Sequence, residues 1–283
     1  MAADLHTPME AFLNERDEAL AYRPRPRTVV VANQKGGVGK TTTTVNLATA
    51  VAAVRKRALV IDLDPQGNAS TGLGLPAEKR VRGTYATLMG ECSIEEAIQP
   101  TSIPNLFVLP ASVDLAGAEI ELVSMEGREF KLKQALAGLR TSFDIIFIDC
   151  PPSLNMLTLN ALAAADSVLV PLQCEFYALE GLSFLIKTVE RVKRAFNPRL
   201  EIDGVLLTMY DRRNNLCDDV ARDVRGFLGP KVFDTVIPRN VRISEAPSHG
   251  LPVLVYDHRS AGSQAYMQLA KEVLRRYPLE AAA

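Results

Sequence analysis

From Thr28 onward, short apolar runs alternate with longer stretches of helical periodicity. Residues 29–32, 58–63, 106–109, 144–148, 167–172 and 205–209 are nearly continuous in Val, Ile, Leu and Phe. Runs this short and this uninterrupted mark strands covered on both faces, as in a parallel sheet. Between the first two, residues 41–54 place Val45, Ala48, Val51 and Ala52 on one helical face. The basic cluster Arg55-Lys56-Arg57 that follows is expected to complement the carboxyl end of that helix. Residues 263–277 repeat the spacing with Tyr266, Leu269, Ala270, Val273, Leu274 and Tyr277, a stripe expected to pack on the sheet. This alternation predicts an α/β fold, a mostly parallel twisted sheet with helices on both faces.

Residues 1–27 stand outside that pattern. Met9, Phe12, Leu13 and Leu20 suggest a short weak helix, followed by a stiff Arg-Pro-Arg-Pro-Arg linker ending at Arg27. They are expected to form an N-terminal extension, leaving 28–283 as a single domain. With 283 residues, 47% hydrophobic and 23% charged, the chain has ample material for one core. A net charge of −1 gives no global attraction to nucleic acid, so any DNA contact has to come from a local patch. Cys92, Cys150, Cys174 and Cys217 are scattered without a C-x-x-C pair, which suggests neither a disulfide framework nor a zinc or iron–sulfur site. A cytoplasmic location is expected. No apolar stretch would span a bilayer, and Asp4, Glu10, Glu15 and Asp17 occupy the region where a signal peptide carries positive charge. His6, His249 and His258 have no acidic or cysteine partner at ligand spacing and are given no catalytic role.

The chemistry starts after the first apolar run. Lys35-Gly36-Gly37-Val38-Gly39-Lys40-Thr41-Thr42 joins a strand to a helix, and its glycines leave bare N–H groups to curl around phosphate oxygens at the positive end of the helix dipole. Lys40 is placed to reach the β- and γ-phosphates, and the Thr41 hydroxyl to ligate Mg²⁺. The usual phosphate-loop pattern asks for glycine where this chain has Gln34, and it does not ask for Lys35. A loop already holding Lys40 gains little from a second cation in the same site, so Lys35 is better suited to the phosphates of a facing subunit.

Carboxylates follow on two later strands. Val60-Ile61-Asp62-Leu63-Asp64 puts two acids on one face of a strand at its carboxyl edge, where phosphates would sit. An acid there is useful for orienting the attacking water, while Asp62 either joins the metal shell or holds the loop. Residues 143–149 end an apolar strand in Asp149, the Walker B arrangement, which is expected to bind Mg²⁺ through a water. Pro151 and Pro152 forbid a helix at once and leave a loop suited to sensing the γ-phosphate.

The loop with Lys35 resembles the deviant Walker A motif of the ParA/MinD branch of P-loop ATPases. Residues 62–68 (DLDPQGN), 149–153 (DCPPS), 205–213 and 236–248 look like the matching stretches of the ParA/Soj family, and the likeness spans 27–277. That resemblance implies a P-loop ATPase that dimerises with ATP and Mg²⁺, Lys35 acting across the dimer in the manner of an arginine finger. It implies that Asp64 orients water, that Met209, Pro238 and Asn240 border the adenine, and that Arg213 and Arg242 belong to a surface gripping DNA phosphates. Nonspecific DNA, a ParB-like activator, nucleoid association and segregation of a chromosome or plasmid follow from it as well. Read from sequence alone, the two arginines fit a solvated loop with surface salt bridges equally well.

Three other readings share part of the signal. A MinD-like membrane-positioning ATPase needs an amphipathic carboxyl-terminal anchor, whereas residues 277–283 offer a proline, an acid and alanines. A metal-cluster carrier needs paired cysteines, and near the loops there is Cys150 alone. A ParA that represses its own operon needs a helix-turn-helix domain, for which 27 residues are too few.

Overall fold

The computed structural model describes residues 26–139 and 143–276. Seven strands form one sheet: β1 Arg27–Val31, β2 Ala58–Asp62, β3 Gln99–Pro100, β4 Leu106–Leu109, β5 Ile145–Asp149, β6 Ser167–Gln173 and β7 Glu201–Thr208. Their order is β3-β4-β2-β5-β1-β6-β7, and every pair is parallel except the short β3–β4 edge. Pairing of β1 with β5 and of β2 with β5 puts Val31 opposite Asp149 and Asp62 opposite Asp149. The carboxyl ends of the three central strands therefore converge on one crevice, where open α/β sheets bind ligands.

The longer helices among the described residues are α1 Lys40–Ala53, α2 Leu115–Glu121, α3 Lys131–Gly138, α4 Met156–Ala164, α5 Ala178–Ala195, α6 Asn215–Leu228 and α7 Ala261–Arg276. They cover both faces of the sheet. Val29, Val31, Val60, Phe147 and Leu206 share one apolar cluster with α1 and α7, while Val30, Ile61, Ile148 and Leu207 share the other with α2 to α6. None of these helices is long and apolar enough to cross a membrane.

Six strands fall where the apolar runs put them, to within a few residues at their ends. Arg27, assigned to the linker, opens β1 instead, its guanidinium donating to Asp203 on β7 at 2.8 Å. β7 starts at Glu201, four residues before its run, and β3, with two residues, gave no pattern to read. The single apolar face expected of α1 is a correction: from Thr43 to Ala52 every residue is buried. The sheet covers one side and α7 another, with Tyr266 Oη 3.4 Å from Thr43 Oγ1. Expected on the sheet, α7 packs chiefly on α1 and shares its cluster with sheet residues. The basic cluster follows the end of α1 directly and closes it through the backbone, Arg55 N donating to Ala52 O at 3.0 Å and Lys56 N to Val51 O at 3.4 Å, while the side chains of Lys56 and Arg57 turn elsewhere. Arg55 turns the chain with φ 64°, Lys56 lies 3.9 Å from Asp144, and the Arg57 guanidinium lies over the Phe107 and Phe143 rings. The expected leader helix and the chain end from Tyr277 lie outside the described residues.

Candidate active site

The glycine loop is built by its neighbours. Asn33, 6% exposed, donates from Nδ2 to the Pro171 carbonyl at 2.7 Å and accepts the Lys35 N–H on its other atom at 3.0 Å, so β6 holds the start of the loop. Thr208, the last residue of β7, donates its hydroxyl to the Val38 carbonyl at 2.8 Å and holds the end. Gly37 and Gly39 have φ of 75° and 88°, a region where a side chain is strained, and a Cβ on Gly36 or Gly37 would meet nothing within 4 Å. The space over those glycines is thus open on the side a phosphate would enter. Thr41 and Thr42 follow, half-buried, in the first turn of α1.

The two lysines face different surroundings. Lys40 is 7% exposed, its ammonium donating to the Lys35 carbonyl at 3.1 Å across the loop, and burial lowers its pKa against the attraction of Asp149 and Asp64. Lys35 stands at the rim, its ammonium half-exposed and paired with Glu175 just past β6.

Under the loop lie three acids. Asp149 is fully buried; Oδ1 accepts the Thr44 hydroxyl at 3.2 Å, and Oδ2 has no hydrogen-bond partner. Burial, then the charge of Asp62, pushes Asp149 up to about 8. A buried carboxylate oxygen without a donor is costly unless a cation compensates it, and beside Thr41 the donor set fits a hard divalent ion. No group of three His, Cys, Asp or Glu among the described residues could hold a metal ion by itself. Mg²⁺ binds through one or two protein oxygens together with phosphates and water.

Asp62 is tied to the loop that follows it. Its carboxylate accepts from Asp64 N at 3.2 Å, Ser70 N at 2.8 Å and Ser70 Oγ at 2.7 Å, and so holds the 64–70 loop; burial raises it to about 6 despite these donors. Asp64, 7% exposed, accepts Gln66 N on Oδ1 at 3.0 Å and sits at the crevice. Pro151 and Pro152 lie in a non-helical stretch that ends at Asn155, the cap of α4.

On the β7 side, Met209 adopts φ 50°, and Tyr210 bridges Pro238, with Tyr210 N donating to Ile237 O at 2.9 Å and Arg239 N to Tyr210 O at 3.0 Å. Met209 follows Thr208, the bridge brings Pro238 to the same end of β7, and Asn240, two residues on, caps the helix Val241–Glu245 through the Arg242 N–H. Arg213 and Arg242 are exposed, and neither stands as an unpaired cation. Arg213 is bonded to Asp211 at 2.8 Å and holds that acid down to about 2, while Arg242 pairs with Glu245 at 2.8 Å and approaches Asp257 at 3.5 Å.

Sequence reasoning missed Asn33, Thr44, Glu175 and Thr208. Thr44 carried a signal, one helical turn after Lys40; the others act through contacts distant in sequence. Scattered cysteines also meet: burial, together with the neighbouring Cys217 thiol, pushes Cys174 up to about 12.

A family model described as an AAA domain matches residues 26–202. The chromosome partitioning protein ParA of Caulobacter vibrioides is 58% identical over 252 residues, covering 88% of this chain and 94% of that one. The sporulation initiation inhibitor protein Soj of Bacillus subtilis is 52% identical over 247 residues, covering 87% and 98%. Among solved structures, cobyrinic acid a,c-diamide synthase from Mycobacterium smegmatis with bound ATP analog and magnesium superposes with a TM-score of 0.79 at 39% identity, covering 89% and 96%. Motifs, sheet order and these identities agree: the chain belongs to the ParA/Soj family of chromosome-partitioning proteins.

Proposed function

We propose that this chain is an ATP-driven partitioning switch. It binds ATP with Mg²⁺, closes with a second copy of itself, holds DNA without regard to sequence, and lets go when a ParB-like activator stimulates hydrolysis to ADP and phosphate. Its place is the cytoplasm, on the nucleoid, with chromosome or plasmid as cargo. The observation that carries the reading is the division of labour between the lysines: Lys40 buried under the loop, Lys35 at the rim where a facing copy would meet it.

Backbone N–H groups of residues 36–40 bind the phosphates, and Lys40 neutralises the β- and γ-oxygens. Bound Mg²⁺ would offset charge on those oxygens; Thr41 and, through a water, Asp149 would hold it, and Asp149 Oδ2 is buried without a hydrogen-bond partner. Asp64 orients the attacking water, and Asp62 keeps the Asp64 loop in place. Lys35 leaves Glu175 to reach the partner's nucleotide, a surface pair of this kind costing about 1 kcal/mol or less to break. Met209, Pro238 and Asn240 border the base. Arg213 and Arg242 contact DNA phosphates. Each is balanced locally by acids, so one copy binds weakly, and pairing two copies doubles the patch.

Retention on random-sequence DNA with ATP, with ADP and without nucleotide tests the reading, Lys40→Ala serving as the blank. Retention confined to ATP supports it; equal retention in all three, or none, overturns it. Arg242→Ala should keep ATP binding and lower the salt slope of DNA binding by about one to two units per dimer. Flotation with liposomes under ATP would instead favour the MinD-like alternative, against which no membrane partner is expected here. The amidating activity named for the Mycobacterium smegmatis structure is not adopted, because relatives with higher identity are named for partitioning.

A further inference from the structure

Arg80 is a buried cation to which the nucleotide chemistry gives no task. Only 8% of it is exposed, and its hydrogen bonds go to neutral acceptors. Nη1 donates to the Gly67 carbonyl at 3.1 Å, Nη2 to Thr71 Oγ1 at 2.8 Å, and Nε to the Leu75 carbonyl at 3.0 Å, which Nη2 also reaches. Desolvating a guanidinium is expensive, and here no carboxylate hydrogen bond offsets it. Such a group is kept where its planar fork fixes something a shorter or more flexible side chain would not.

What it fixes is the segment behind Asp64. Gly67 N donates to the Asp64 carbonyl at 2.8 Å, closing the turn 64–67, and the Gly67 carbonyl takes Thr71 N, Thr71 Oγ1 and Arg80 together. Gly67 has φ 62°, and a Cβ there would overlap the guanidinium. On the inner side, Asp62 holds Asp64 N and Ser70, and Ser70 Oγ accepts Ala111 N at 3.1 Å. The loop is thus gripped between two buried charges of opposite sign, one at each end of the Asp64 turn.

We propose that Arg80 is a positioning residue for ATP hydrolysis: by holding the Gly67 carbonyl it sets the turn that aims the Asp64 carboxylate, without itself touching the nucleotide. This rests on the role given above to Asp64. An error of about 1 Å in aim costs up to about 100-fold in rate, so loss of the fork should appear in turnover rather than in affinity.

The test is a double-mutant cycle in the full chain, with kcat and KM for ATP under saturating Mg²⁺ and a thermal midpoint for each protein. Arg80→Ala should lower kcat by about 10- to 100-fold and leave KM within about twofold. Arg80→Lys, which keeps the charge and loses the fork, should fall between it and the parent. In the Asp64→Asn background, removing Arg80 should cost no further turnover, because both changes disable one device. If Arg80→Ala is too unstable to assay, Arg80→Gln takes its place in the cycle. Turnover per folded molecule unchanged in the Arg80 variants, or costs that multiply through the cycle, overturns the proposal. If Asp64→Asn hydrolyses ATP normally, it is the role of Asp64 that falls, and the positioning role falls with it.

Discussion

Among the carboxylates with almost no exposure, Asp149 at 0% and Glu272 at 3% are treated in opposite ways. Glu272 on α7 accepts Asp234 N at 2.9 Å, Thr235 N at 3.0 Å and Arg276 Nη2 at 2.7 Å, while Arg276 also donates to the Val232 carbonyl and lies over the Phe233 ring. Burial alone would push Glu272 up; these donors outweigh it and hold its pKa below the ordinary value. Asp149 has threonine hydroxyls alone as donors and nothing on Oδ2, and burial prevails. A buried acid whose donors come from its own chain is part of the framework. One whose donors are missing has been left for something that arrives.

Changing each acid to its amide should separate the two cases. Asp149→Asn is expected to have the largest effect on activity, lowering Mg²⁺-dependent ATP turnover by about 100-fold or more in a phosphate-release assay. The same change should raise the thermal midpoint of the nucleotide-free protein, because it removes a charge the fold does not satisfy. The sign follows from the raised pKa values. Asp62 and Asp149 are pushed to about 6 and about 8, so their stabilising contribution is present below the ordinary carboxylate value of 3.8 and is lost as pH rises through those values. The parent should therefore melt lower at pH 8 than at pH 5 by more than Asp149→Asn does. A midpoint that falls in that variant, with the pH slope kept, would erase the contrast.

Glu272→Gln should do the reverse, costing about 2 kcal/mol in urea unfolding while leaving turnover per folded molecule as it was. Its pKa is depressed, so the stabilisation it gives is present above the ordinary value of 4.5 and is lost as pH falls. Parent and variant should converge in acid. Loss of turnover in Glu272→Gln at full folding would place that acid in the chemistry after all. The smallest effect is expected from Glu175→Gln at the rim, about 1 kcal/mol or less in stability, since both side chains of that pair are half-exposed.

How far the site could be read beforehand depended on whether each contact is local. The strand-loop-helix around Lys40 and the strand ending in Asp149 are contiguous in the chain, and both stand where their pattern put them. Asp62 could not be assigned, because its donors include Ser70, and Ser70 is itself fixed by Ala111, 41 residues further on. Arg80 stands in the run Glu78-Lys79-Arg80-Val81-Arg82, which carries no local sign of burial, and its burial depends on carbonyls of the folded loop. In α1 the apolar stripe was real, yet Thr43, Thr44, Asn46 and Thr49 are buried as well. They bond to Tyr266, Asp149 and carbonyls of their own helix, and Asn46 also takes Val253 N, contacts that periodicity does not encode.

Thr208 has one more implication. Its hydroxyl on the Val38 carbonyl is a direct tie between the turn that begins at Met209 and the loop at Gly36–Gly39, worth about 1 kcal/mol. A tie of that strength transmits displacement but yields to a modest push. An analogue altered only at its base should therefore be felt at the far end of the molecule as a change in turnover, in addition to any change in how tightly it is held.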